Sequence, residues 1–84
     1  MSKGNLQGMI KAYGEKKSKI IIDTAGKVYI ENQGTLSRYN DAEIVFHTKE
    51  LEIGILGQNL YLEFIEGDCV QVSGQVYNVS LKEL

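Results

Sequence analysis

Residues 27–31 read Lys-Val-Tyr-Ile-Glu, so apolar and polar side chains alternate with a period of two. Successive residues of a β-strand point to opposite faces of a sheet, and this alternation therefore predicts a strand with one buried face. The sequence Asn-Gln-Gly follows at residues 32–34, and Asn and Gly tolerate the positive φ angles that tight turns require. The segment predicts a strand that ends in a turn.

The same alternation recurs along the rest of the chain. Alternating runs cover residues 43–48, 51–55, 60–65 and 70–81, and the turn sequences Gly57-Gln58-Asn59 and Glu66-Gly67-Asp68 lie between them. In residues 60–65 we expect one face to carry Leu60, Leu62 and Phe64 and the other to carry Tyr61, Glu63 and Ile65. After Val76 the apolar residues move to the odd positions, which predicts a bulge or bend between Gly74 and Tyr77.

Short alternating segments with turn signals every ~8–12 residues are typical of an antiparallel sandwich or barrel. We therefore predict an all-β fold, a small antiparallel β-sandwich or barrel-like domain of five to seven short strands. No helix is clearly available to cover the sheet, so its faces must pack on each other or on a second copy. Few inward charges and no proline protect the strand edges, and we expect a homodimer.

The N-terminal segment differs from the rest of the chain. Residues 1–19 contain five lysines and one glutamate, net +4, whereas residues 20–84 carry net −6. The spacing of Leu6, Met9, Ile10 and Tyr13 fits one face of a helix, but glycines within the segment oppose helix formation. We predict a basic arm over residues 1–18, either disordered or a short helix, followed by one all-β domain over residues 19–84.

Charge and composition exclude several classes of function. An acidic body repels a phosphate backbone, so we expect no nucleic-acid binding by the folded part. No apolar run approaches the ~20 residues that span a bilayer, and we expect no stable membrane insertion. A single cysteine forms no intramolecular disulfide, which fits a reducing compartment. Without an apolar signal-peptide core, the expected location is the cytoplasm.

The residue types that carry chemistry form no recognisable catalytic or metal-binding pattern. The sequence contains one histidine, His47, and one cysteine, Cys69. A metal site requires three or four ligands. We expect His47 to lie on a polar face and Cys69 to be a buried structural residue. The carboxylates alternate with apolar residues, as the exposed face of a sheet does. We predict no enzyme activity, no metal and no cofactor.

Five tyrosines are the remaining unusual feature of the sequence. If Tyr29, Tyr61 and Tyr77 share one outer face, they form an aromatic patch that binds a protein partner or a sugar. As ordinary cross-strand pairs they only stabilise the sheet. The three tyrosines are the predicted partner-binding residues.

The pattern between Val28 and Val79 is similar to that of the YabP/YqfC family of sporulation proteins in endospore-forming Firmicutes. The matching residues are Ile30-Glu31-Asn32, Gly34, Tyr39, Ile44, Thr48, Leu51-Glu52-Ile53, Ile55, Gly57, Leu60, Ile65, Val70, Val72, Gly74 and Val76. Leu51 stands where the family tends to carry glycine, the glycine after Ile-Glu-Asn is displaced by one position, and a proline common upstream is absent. The chain resembles a divergent member.

The resemblance implies a compact all-β domain that is made during sporulation, with no catalytic or cofactor residues to carry over. The leading hypothesis is therefore a non-enzymatic sporulation-associated protein in the cytoplasm of a spore-forming cell or in the spore. It acts as a small adaptor or assembly component through its sheet edges or its tyrosines. The alternative is a small-ligand or carbohydrate-binding β-module that uses the same tyrosines.

Overall fold

The computed structural model describes residues 17–84 as six antiparallel β-strands in one open sheet, which confirms the predicted all-β class. The strands are β1 (Lys19–Asp23), β2 (Lys27–Glu31), β3 (Thr35–Tyr39), β4 (Glu43–His47), β5 (Leu51–Glu66) and β6 (Cys69–Glu83). Their order across the sheet is β1-β2-β6-β5-β4-β3. The predicted arm falls mostly on residues 1–16, outside the described residues.

The long hairpin of β5 and β6, with 16 and 15 residues, is the centre of the sheet. β2 pairs with residues 69–73 of β6, whereas β4 pairs with residues 52–56 of β5. The hairpin thus carries one pair of short strands at each end. We call β1, β2 and the hairpin residues 61–66 and 69–73 the first half-sheet. The second half-sheet comprises β3, β4 and the hairpin residues 51–56 and 78–83.

The hairpin is irregular between the two half-sheets. Ser73 pairs with Tyr61 and Gln75 pairs with Gln58, so two residues of β5 lie opposite the single residue Gly74. Another shift lies between Val76 and Asn78, which places irregular pairing where the change of phase predicts it. The predicted turn at residues 57–59 is wrong, because β5 continues through it. The positive φ of Asn59 serves a bulge within the strand instead.

Both half-sheets contribute to one apolar core. Its buried members are Val28, Ile30, Ile44, Phe46, Ile53, Ile55, Leu60, Val70 and Val72. β2 and β4 are separated in the sheet by two strands, yet their side chains belong to the same cluster. The inner faces of the half-sheets therefore pack together, as in a small sandwich. We call the opposite side of each half-sheet its outer face.

The faces predicted for Phe64 and Ile65 are wrong, because a bulge precedes them. The register shifts between Leu62 and Phe64, so that Ile65 pairs with the buried Val70 and Phe64 pairs with Gln71. Phe64 therefore lies on the outer face, and Ile65 rather than Phe64 continues the inner face. An extra residue in one strand reverses the alternation of every residue beyond it.

The connection from β2 to β3 joins the half-sheets. Asn32 and Gly34 have positive φ angles of 58° and 75°. The Asn32 amide donates a 2.6 Å hydrogen bond to the Asp68 carbonyl, and the Ser18 hydroxyl donates to the Asn32 carbonyl. Within residues 17–84, no helix of the length and apolar character needed to cross a membrane is present.

Candidate functional site

The outer face of the first half-sheet holds two of the three predicted partner-binding tyrosines. Tyr29 in β2 pairs with Gln71, and Tyr61 in β5 pairs with Ser73, so both rings project from the same face with β6 between them. Tyr77 lies beyond the bend, where its hydroxyl donates a 2.6 Å hydrogen bond to Oε1 of Gln58. The structure brings Tyr29 and Tyr61 to the outer face of the first half-sheet, and Tyr77 lies in β6 beyond the end of that half-sheet.

Phe64 completes the aromatic part of this face. Its ring centroid lies 6.4 Å from that of Tyr29, and the two rings are inclined by 51°. Ile21 of β1 pairs with Tyr29 on its other side and is about half exposed. A row of Ile21, Tyr29, Gln71 and Phe64 therefore crosses all four strands, and we call it the aromatic row. Sequence reasoning missed Phe64, because the bulge that turns it outward has no local signal.

A polar cluster lies beside the aromatic row. The Ser73 hydroxyl donates a 2.6 Å hydrogen bond to Oε1 of Glu63, and Gln71 Nε2 donates to Oε2 at 2.9 Å. Lys27 Nζ lies 3.4 Å from the same Oε1 atom. The Ser73 hydrogen bond, together with Lys27 and Gln71, lowers the pKa of Glu63. Through both carboxylate oxygens, this side chain links β2, β5 and β6.

Cys69 lies at the start of β6 on the outer face, opposite Glu31, and it is half-buried rather than part of the core. Hydrogen bonding to Cys69 raises the pKa of Tyr29 to about 12, with smaller contributions from partial burial and from Glu31 and Glu66. The Tyr29 phenol therefore stays protonated at neutral pH. The ring offers a partner an aromatic surface and a neutral hydroxyl.

The outer face of the second half-sheet is charged. Arg38 and Glu43 form a 2.8 Å ion pair, and His47 Nε2 lies 2.9 Å from Oε1 of Glu52. The hydrogen bond with His47 lowers the pKa of Glu52, to which the nearby charges of His47, Lys82 and Arg38 add. These groups are bonded to each other around a shallow depression, whose lining is Ser37, Arg38, Glu43, Val45 and Glu52.

His47 and Cys69, the candidates for metal or nucleophilic chemistry, lie on the outer faces of different half-sheets. His47 lies on the polar face, as its sequence neighbours predict, with Glu52 as its partner. In the part of the chain that the structure describes, no three His, Cys, Asp or Glu side chains converge as a metal-ion site would require.

Large apolar side chains are also exposed at the strand edges. In β1, Ile21 and Ile22 are 47% and 59% exposed. Leu81 and Leu84 are also exposed, along the last residues of the chain. Exposed apolar groups of this size commonly mark protein-interaction surfaces. The aromatic row and the adjoining edge of β1 form the candidate site.

Comparison with known proteins identifies one family. A family model described as the YabP family matches residues 14–84, which includes every described strand. No curated protein and no solved structure matches the chain significantly.

Proposed function

This chain belongs to the YabP family, and from that membership we propose that it is a non-enzymatic assembly component of the sporulating cell. The family is associated with sporulation. In this proposal the protein works in the cytoplasm of the spore-forming cell or in the spore, as an adaptor between proteins. Its contacts are made by the aromatic row and by the edge of the sheet.

The aromatic row is the observation that supports an adaptor, with Ile21 about half exposed and Tyr29 and Phe64 partly exposed. Ile21, Tyr29 and Phe64 lie in one row on the outer face of the first half-sheet, with Gln71 between Tyr29 and Phe64. Aromatic side chains are enriched where protein interfaces gain most of their binding energy. The polar side chains around the row, by contrast, are bonded to one another. Glu63 is shared by Ser73, Gln71 and Lys27, which favours a structural role for this cluster over a catalytic one.

A carbohydrate-binding module is the second candidate, and the shared face of Tyr29 and Tyr61 supports it. A sugar ring stacks on a flat aromatic surface. The rings of Tyr29 and Phe64 are inclined by 51°, so they present no common plane to a sugar. Tyr77 lies in β6 beyond the end of the first half-sheet. The geometry therefore favours a protein partner, whose side chains fit an uneven surface.

The adaptor proposal is tested in a spore-forming host that carries the gene as its only copy. We expect the protein on immunoblots only after sporulation begins, and fewer heat-resistant spores when the gene is deleted. Tyr29→Ala, which truncates the aromatic row, should restore spore formation poorly. Tyr77→Ala, the same change outside that face, should restore it fully.

Constant expression in growing cells contradicts the proposal, as does full complementation by Tyr29→Ala. Thermal unfolding of the purified Tyr29→Ala protein shows whether the domain still folds. Tyr29→Phe, which keeps the ring, serves as a second variant and should restore spore formation. A fluorescence change of the tyrosines on adding glycans, together with normal spore counts for Tyr29→Ala, favours the carbohydrate module.

A further inference from the structure

We propose that β1 pairs in antiparallel fashion with β1 of a second copy, about a two-fold axis that passes beside Ile21. This inference rests on the proposed function and deepens it, because it names one partner of the assembly component as the same chain. The interface is a sheet edge, and the pairing joins two six-stranded sheets into one.

β1 is an unpaired edge within the described part of the chain. One side of its backbone bonds to β2 over five residue pairs without a register shift, and its other side meets no strand. Native edges are usually protected by a bulge, a proline or a charge in the middle of the strand. β1 has three consecutive isoleucines there, and its two charges lie at its ends. An edge of this kind is open to another strand.

The charges of β1 are complementary to those of a second β1. In antiparallel pairing centred on Ile21, Lys19 lies opposite the partner's Asp23, and Asp23 lies opposite the partner's Lys19. Two ion pairs therefore close the ends of a five-residue ladder. The apolar residues match as well, because Ile20 lies opposite the partner's Ile22.

The neighbouring strand extends this complementarity. In the structure Lys19 pairs with Glu31, and Asp23 pairs with Lys27. At each end of the ladder in the dimer, four residues on four neighbouring strands therefore lie side by side: Glu31, Lys19, the partner's Asp23 and the partner's Lys27. Their charges alternate across the four strands. Opposite charges in directly facing positions stabilise sheets, and like charges destabilise them.

Other registers of the same two strands fit less well. Shifting the pairing by two residues places the aspartate or the lysine of each copy opposite an isoleucine. Shifting it by one residue brings inner-face residues opposite outer-face residues. Among these registers, only the one centred on Ile21 keeps both Lys19–Asp23 ion pairs and also places inner-face residues opposite inner-face residues. A two-fold contact of this type uses the same surface on each copy, so it closes at a dimer.

The opposite edge of the sheet is less suited to the same contact. β3 contains a register shift between Leu36 and Arg38, and Arg38 lies near the middle of the strand. Bulges and central charges are the devices that prevent edge pairing. The free part of β6 carries its charges, Lys82 and Glu83, at one end, so antiparallel pairing about its centre leaves them opposite uncharged residues. Of these three edges, β1 is the one that fits a second copy.

The test measures the molar mass of the full chain and of two charge variants by sedimentation equilibrium. The wild type should be a dimer. Lys19→Glu and Asp23→Lys each place like charges opposite each other in a homodimer, so each should raise the dissociation constant at least about tenfold. An equimolar mixture of the two variants restores both ion pairs, and we expect it to regain the dimer.

The mixing experiment separates the interface from effects within one chain. Each variant has the same altered contact with its own β2 whether it is measured alone or in the mixture, so only a change at the interface can restore the dimer. Cross-linking gives an independent measurement in a Cys69→Ser background. Ile21→Cys puts two thiols next to the axis, and we expect a disulfide-linked dimer under oxidising conditions. Leu36→Cys on the opposite edge should remain monomeric on a non-reducing gel.

A monomeric wild type overturns the inference. So does a dimer that both charge variants leave intact, or cross-linking through Leu36→Cys but not Ile21→Cys. These results leave the proposed function standing, because spore counts with Tyr29→Ala test it separately. Conversely, a confirmed β1 dimer in a protein made constantly during growth keeps this interface and removes the sporulation role.

Discussion

The hydroxyl of Ser73 in β6 donates a 2.6 Å hydrogen bond to Oε1 of Glu63 in β5. Ser73 is only 3% exposed, although it belongs to an outer face, because side chains of β2 and β5 cover it. Glu63 lies where the bulge between Leu62 and Phe64 changes the register. The bond thus ties together the two strands of the hairpin where their ladder is irregular.

Ser73→Ala should lower the free energy of unfolding by about 1 kcal/mol, because the change removes a hydrogen bond to a carboxylate and leaves that carboxylate two other partners. Ser80→Ala is the matched control, since Ser80 is an exposed serine of the same strand. The control should change stability by less than about 0.5 kcal/mol. Urea denaturation gives both values, and equal effects would show that the Ser73–Glu63 bond contributes nothing.

Stability should also fall in acid. The folded-state pKa values of Glu52 and Glu63 are both lowered from the ordinary 4.5. A group with a lowered folded pKa contributes stability that is present above its unfolded pKa and disappears as the pH falls through the folded value. The contribution of these carboxylates is therefore complete above about pH 4.5 and is lost below it.

The measurement is the free energy of unfolding in urea at neutral pH and at about pH 3. Glu52→Gln and Glu63→Gln should each be less stable than the wild type at neutral pH and should lose less stability on acidification. Ser80→Ala, which removes no carboxylate, should follow the wild type. Parallel pH profiles for the wild type and both glutamine variants would contradict this explanation.

Two glycines with positive φ angles should respond very differently to alanine. A Cβ atom on Gly34, at φ 75°, would overlap the carbonyl oxygen of His47, whereas a Cβ atom on Gly67, at φ 56°, would meet no atom within 4 Å. Gly34→Ala therefore adds a backbone clash to the cost of a left-handed alanine. We expect it to lower the free energy of unfolding by more than about 3 kcal/mol.

Gly67→Ala is the control. It should lower the free energy of unfolding by about 1–2 kcal/mol, because only the left-handed conformation of the new alanine is unfavourable there. A domain of this size is stable by only ~4–12 kcal/mol, so Gly34→Ala should unfold at markedly lower urea concentration. Similar midpoints for the two variants would show that the β2–β3 connection moves easily away from β4.

The sequence predicted those strands that bury one face. Val28 and Ile30 are fully buried, and so are Ile44 and Phe46, which is why β2 and β4 alternate clearly. β1 was not identified as a strand, because an edge with three consecutive isoleucines shows no alternation. β3 was missed for a related reason, since all five of its residues are exposed.

The candidate site was predicted only in part. Tyr29 and Tyr61 were recognised by their residue type, but their common face depends on pairing of both strands with β6. Glycine and asparagine at residues 57–59 resemble a turn, and only the long-range pairing shows that they form a bulge. Phe64 joins Tyr29 because a second bulge reverses its direction. Bulges are set by contacts between distant residues, so local sequence does not reveal them.

Tyr29 should ionise at a higher pH in the folded protein than in the unfolded chain. Its pKa in the folded protein is about 12, against the ordinary value of 10.0, and hydrogen bonding to Cys69 is the largest cause. At about pH 11 the folded protein should hold Tyr29 roughly one-tenth ionised, and the unfolded chain roughly nine-tenths. The raised value contributes stability below the unfolded pKa, and this contribution is lost as the pH rises through the folded pKa.

The near-ultraviolet absorbance of tyrosinate, measured for the wild type and for Tyr29→Phe, isolates this residue. At about pH 11 the two folded proteins should differ by roughly one-tenth of a tyrosinate, and the difference should rise to roughly nine-tenths when both are unfolded in guanidinium. Cys69→Ala removes the largest cause of the shift, so in that background Tyr29 should ionise at lower pH. Circular dichroism at the same pH confirms that each protein is folded. A full tyrosinate difference between the folded proteins would show that folding does not raise the pKa of Tyr29.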